Sequence, residues 1–186
     1  MLYRSPGVGP RFADLPGESR AANQTAVAVL ERRKQHMAHT YFAVHLHLVF
    51  STKNRTPWLT REVRESVFPY LATAIRDHAT TARIVGGHND HIHALISPES
   101  QVLIPDLVKE IKRTSSAWLK TKWEGCADFA WQDGYGAFSV SQSNLPRVRK
   151  YIETQESHHQ KITFADEYRA LLVRHRIPFD ERFYLG

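Results

Sequence analysis

From residue 40 onward the hydrophobic positions switch between a period of two and a period near 3.6. TYFAVHLHLVFS (40–51) is rich in β-branched and aromatic residues and predicts a strand. Residues 61–78 set Val63, Val67, Tyr70, Leu71 and Ile75 at helical spacing, with Thr60 placed to cap the helix. ARIVGG predicts a second strand, HND a turn and HIHALIS (91–97) a third strand, so this pair forms a hairpin around Gly86–Asp90. Pro105 and Asp106 open a helix that carries Leu107, Ile111 and Trp118 and runs to about Lys122. GAFSVS (136–141) predicts another strand. Asn144 and Pro146 start a third helix with Val148, Tyr151 and Ile152, and Thr163 caps a last one, FADEYRALLVRH. The order β-α-β-β-α-β-α-α predicts an α+β fold: a ferredoxin-like (RRM-like), mainly antiparallel sheet with helices on one face.

Residues 1–36 lack this periodicity. The first 26 hold three Pro and three Gly, which predicts a poorly ordered N-terminal extension, or an over-called start codon, ahead of a domain at 37–186. At 186 residues the chain suits one domain with a real core, and 42% hydrophobic residues suit a globular protein. A charge of +6 and a pI near 9.6 admit a polyanionic partner without requiring one. Cys126 is the single cysteine, which excludes an internal disulfide framework and a multi-cysteine zinc site, and favours the cytoplasm. No apolar run approaches the roughly 20 residues that span a bilayer, so no membrane association is expected.

The unusual feature of the composition is eleven histidines, several of them paired: His45 with His47, His91 with His93, His158 with His159. On a strand, His91 and His93 point to one face while Ile92 points to the other. Imidazoles about 7 Å apart along one face can converge on one ion, with His88 and Asp90 at hand to orient them. In YIETQ (151–155), Tyr151 and Gln155 are i and i+4 of a helix and so project together from one face. Spacing alone leaves both as ordinary packing or solvated residues. Two His and one amide oxygen together make a neutral, moderately hard ligand set, suited to Mg²⁺ or Mn²⁺ bound with a phosphate oxygen. A Tyr one turn away could attack that phosphate.

HIH followed far downstream by YIETQ resembles the His-hydrophobe-His and Tyr-x-x-x-Gln motifs of the single-tyrosine HUH transposases. These come from small insertion sequences without inverted terminal repeats and include the REP-associated tyrosine transposases. HLHLVFSTKNR (45–55), GGHNDHIHALIS (86–97), LVKEIKRTSSAWL (107–119), FAWQDGYGAFSVSQS (129–143) and YIETQESHH (151–159) resemble family segments in the same order. The resemblance implies the HUH fold, homodimers with composite sites, and action on single-stranded DNA at element ends marked by hairpins. It implies a 5′-phosphotyrosine intermediate on Tyr151, metal ligation by His91, His93 and Gln155, and no nucleotide cofactor. A cytoplasmic, nucleoid-associated protein follows from such a substrate.

Candidate DNA contacts are Lys53 and Arg55 after the first strand, Lys109, Lys112, Arg113 and Lys120 on the second helix, and Arg147 and Lys150 before Tyr151. The second-helix residues could equally form a solvated face. Trp123 and Trp131 are expected to pack in the core, with base stacking as the alternative. A four-histidine site built with His45 and His47 is not favoured, and His159 is expected to be exposed. Two other functions fit the same residues: a domesticated protein that only binds hairpin DNA, and a metal-dependent nuclease in which water attacks in place of Tyr151.

Overall fold

A computed structural model describes residues 41–185; the extension expected at 1–36 lies outside the described residues. The elements are β1 (Leu46–Ser51), α1 (Arg61–Arg76), β2 (Thr80–Gly87), β3 (His91–Pro98), α2 (Ile104–Lys122), β4 (Gly136–Ser139), α3 (Leu145–Glu153), α4 (Gln155–His158) and α5 (Phe164–Arg174). Each predicted strand and helix is present. Thr60 and Thr163 cap α1 and α5 by accepting from the amides of Val63 and Asp166.

The strands form a four-stranded antiparallel sheet in the order β2-β3-β1-β4, the ferredoxin-like arrangement. Here the split β-α-β topology matters for function. It places β3, which carries the histidine pair, beside β1 in the centre of the sheet, with Val49 opposite His93.

Helices cover both faces of the sheet, not one. On the first face Leu48, Phe50, Ile92, Ala94 and Ile96 pack against Val63, Val67, Leu71 and Ile75 of α1 and Leu107, Val108 and Ile111 of α2. On the second face α3 packs Leu145 and Ile152 on Leu95, and α5 packs Phe164, Leu171 and Leu172 near Val49 and Phe138. Alternation along the strands explains the division: side chains that are not in the first core must point into the second. That second face carries His47, His91 and His93, and covering it with helices makes their burial possible.

Candidate active site

His91 and His93 project from β3 toward α3 and α5, and both side chains are fully buried. Buried imidazoles need partners. His91 donates from Nδ1 to Asp90 Oδ1 at 2.7 Å, and His93 Nδ1 meets His47 Nε2 at 2.8 Å. His159 donates from Nδ1 to the carbonyl of Ile162 at 2.9 Å. In each case Nδ1 is taken and Nε2 is turned inward, the orientation that outer hydrogen bonds impose on metal-ligating histidines.

The Nε2 atoms meet other acceptors there. Gln155 Oε1 lies 3.4 Å from His91 Nε2 and 2.9 Å from His159 Nε2. Its amide donates to Glu167 Oε1 at 2.9 Å, which fixes which end is oxygen. Glu167 Oε2 is 3.3 Å from His93 Nε2, 3.7 Å from His91 Nε2 and 3.3 Å from His159 Nε2. His93 Nε2 and Glu167 Oε2 are buried and neither makes a hydrogen bond. His91, His93, His159 and Glu167 each offer a ligand atom within 4.8 Å of the others.

A divalent cation fits this donor set. Lone-pair atoms facing one another without enough protons are costly in a buried setting, and a cation at their centre relieves this. The separations of 3.3–3.7 Å are those between neighbouring ligand atoms of a centre whose bonds are about 2.0–2.2 Å.

The electrostatics follow from the crowding. Burial pulls His93 down to about 4, even though Glu167 opposes the shift. Burial also holds His47 well below its ordinary value. For Glu167 burial pushes upward, but the close approach of His159 and His93 to Oε2 and the hydrogen bond from Tyr151 outweigh it and hold the carboxyl far below the usual range. His159 is raised: burial lowers it, and the Glu167 carboxylate 3.3 Å from its Nε2 more than compensates.

Tyr151 comes from α3 and donates its hydroxyl to Glu167 Oε1. Its ring lies 5.8 Å from that of His93, so nucleophile candidate and histidine pair meet within one chain. Burial first, and the Glu167 carboxylate second, raise its pKa well above that of a free phenol. Gly86 lets α3 come this close. A Cβ there would stand 2.8 Å from both Cγ2 and the carbonyl oxygen of Ile152, the residue next to Tyr151. Only a residue without a side chain permits this packing.

Tyr151 and Gln155 do not share a continuous helix. The chain leaves helical geometry at Thr154 (φ −103°, ψ 17°), so α3 ends at Glu153 and Gln155 begins α4. Both side chains still arrive at Glu167 Oε1. The expected exposure of His159 is overturned: its side chain is 4% exposed and lies in the cluster, where α5 closes over it. A four-histidine site with His45 is also absent among the described residues. His47 supports His93, whereas His45 bonds to Ser97 and Gln142. His88 stacks on His159 at 5.2 Å.

The expected DNA-contact residues fall in different places. Arg147 joins Lys161 and Arg174 along a cleft of about 820 Å³ that opens onto Tyr151. Lys150 is exposed on α3. Lys53 and Arg55 are exposed on a short 3-10 turn after β1. On α2, Lys109 and Lys120 are exposed, and Arg113 pairs with Glu110 at 2.8 Å. Lys112 is committed internally: its ammonium bonds to the carbonyls of Gln132 and Gly134, and burial lowers it to about 8. Trp131 is core, donating its indole N–H to Ser115, and Trp123 packs on Trp118.

Glu167 was not singled out by the sequence reasoning. Its signal was present, because Phe164, Glu167 and Leu171 mark one stripe of α5, and an acidic residue in an apolar stripe is unusual.

Comparison with known proteins gives a consistent picture. Residues 40–155 match the family model described as "Transposase IS200 like". The chain is 27% identical over 119 residues to the ISDra2 transposase TnpA of Deinococcus radiodurans, across 61% of this chain and 85% of that protein. A crystal structure of a Deinococcus radiodurans protein described as a transposase superposes with a TM-score of 0.51 at 24% identity, covering 63% of this chain and 95% of that one. The structure of a REP-associated tyrosine transposase bound to a REP hairpin gives 0.50 at 15% identity, covering 68% and 75%. At these identities the two structural likenesses speak for the fold, which is the HUH fold. Helix α5 lies beyond the matched segment.

Proposed function

This chain belongs to the IS200-like transposase family, and we propose that it cleaves and rejoins single-stranded DNA at hairpin-marked ends through a 5′-phosphotyrosine on Tyr151. The observation that carries this reading is the arrival of His91, His93, Gln155 and the Tyr151 hydroxyl around one buried carboxylate. In this reading the Tyr151 oxygen attacks the scissile phosphorus and the bond to the 3′ oxygen breaks. The phenol loses its proton, the departing oxygen gains one as a 3′-OH, and the 5′ side stays esterified to Tyr151. The ester keeps the bond energy, so a later attack by a 3′-OH rejoins the strands without a nucleotide cofactor.

A divalent cation, Mg²⁺ or Mn²⁺, held by His91, His93 and Gln155 would polarise the scissile phosphate and offset its developing charge. The protein residues do the positioning. Asp90 and His47 hold the two imidazoles in orientation, and Gly86 admits α3 so that Tyr151 reaches them. Arg147, Lys161 and Arg174 line the cleft beside Tyr151 and would neutralise backbone phosphates of an incoming strand. The hairpin as a partner is supported by the family and by the REP-bound neighbour. A homodimer would bring two such sites together, with Tyr151 serving the histidine pair of its own or of the partner chain.

The test is adduct trapping. An end-labelled single-stranded hairpin substrate incubated with Mn²⁺ should give a protein–DNA band that survives a denaturing gel. Product strands without such a band would point instead to a nuclease using water. Binding without either product would point to a hairpin-binding protein.

A further inference from the structure

We propose that Glu167 of α5 is the anionic ligand of the bound divalent cation and, through its other oxygen, the positioning residue for Tyr151. The proposal rests on the reading of His91 and His93 as metal ligands and adds a charged donor from outside the family-matched segment. Three observations carry it.

The first is burial without partners. Glu167 is 4% exposed, and its Oε2 makes no hydrogen bond although it sits among three Nε2 atoms at 3.3–3.7 Å. A carboxylate oxygen held there needs a cation or an added proton on an imidazole to balance it. His93 Nε2 is likewise unpartnered and faces it.

The second is the division of labour between the two oxygens. Oε1 accepts from the Tyr151 hydroxyl and from the Gln155 amide, while Oε2 points to the histidines. One rigid carboxylate thus links nucleophile and ligand cluster, so displacing it would disturb both.

The third is the donor chemistry. Two imidazoles and an amide oxygen are neutral, and a hard divalent cation binds such a set weakly. Adding a carboxylate supplies a negative charge and a hard oxygen, which Mg²⁺ and Mn²⁺ favour. His159, turned to the same point by Ile162, adds a fifth donor beside His91, His93, Gln155 and Glu167, and phosphate or water oxygens would complete an octahedral shell.

The experiment is titration of the full chain with MnCl₂, followed calorimetrically, on the wild type and on Glu167→Gln, Glu167→Ala and His93→Ala, with circular dichroism to establish folding. Glu167→Gln should weaken Mn²⁺ binding by at least ~10-fold and Glu167→Ala by more. Wild-type affinity in both folded variants would overturn the proposal while leaving the histidine site standing. Undiminished binding by His93→Ala would reject the histidine reading itself. Should the Glu167 variants not fold, an anomalous map of wild-type crystals soaked in MnCl₂ decides. A peak bonded to Glu167 Oε2, His91 and His93 supports the proposal, and one bonded to the histidines with Glu167 turned away overturns it.

Discussion

Ile92 and His93 are neighbours on β3 and both are almost fully buried, yet they face opposite halves of the molecule. Ile92 enters an apolar core with Leu48, Phe50 and Ile96 under α1 and α2. His93 enters a polar cluster with His47, His91 and Glu167 under α3 and α5. The first face is close-packed hydrocarbon and supplies stability. The second removes charged and polar groups from water, which opposes folding until protons or a cation balance them. The same alternation thus separates the residues that hold the fold from those that carry chemistry.

That separation can be broken one face at a time. The largest effect should come from Tyr151→Phe, which loses the covalent adduct, roughly 10⁴-fold or more in single-turnover assays, while hairpin affinity by gel shift stays nearly unchanged. Removing the apolar neighbour instead should reverse the pattern. Ile92→Ala is expected to lower unfolding free energy in urea by about 2–5 kcal/mol and leave Mn²⁺ binding in place.

His93→Ala sharpens the contrast. Mn²⁺ at 100 times its Kd should stabilise the wild type by about 2.7 kcal/mol, read as a rise in Tm that EDTA abolishes, and should not shift this variant. Gly86→Ala tests the approach of α3. The clash with Ile152 should cost about 1–3 kcal/mol and slow adduct formation, because Tyr151 is carried back from the cluster. Thr163→Ala should have the smallest effect, about 1 kcal/mol from the lost α5 cap, visible by thermal melting.

Much of this was readable in the sequence, and the residues show why. Strand period and the HIH triplet place His91 and His93 on one face whatever the fold, and Thr60, Pro105 and Thr163 announce their helices locally. Tyr151 and Gln155 were reachable through the family resemblance, since their spacing alone fits many helices. The rest depends on long-range packing. Glu167 lies 76 residues beyond His91 in sequence (167 − 91) and meets it only because α5 folds over the second sheet face. His159 was expected in solvent for the same reason. The departure from helical geometry at Thr154 leaves no mark in composition, and neither does the bulge between Ala82 and Ile84 that re-registers β2 against β3.

The central claim is that Tyr151 becomes covalently joined to DNA, and peptide mapping tests it most directly. Wild-type protein reacted with a single-stranded hairpin substrate and Mn²⁺, digested with nuclease and trypsin, would be analysed by mass spectrometry. The account predicts a nucleotide on the peptide containing Tyr151, attached through a 5′-phosphate and absent in Tyr151→Phe. Cleaved strands with that peptide unmodified, or an adduct on another residue, would contradict it.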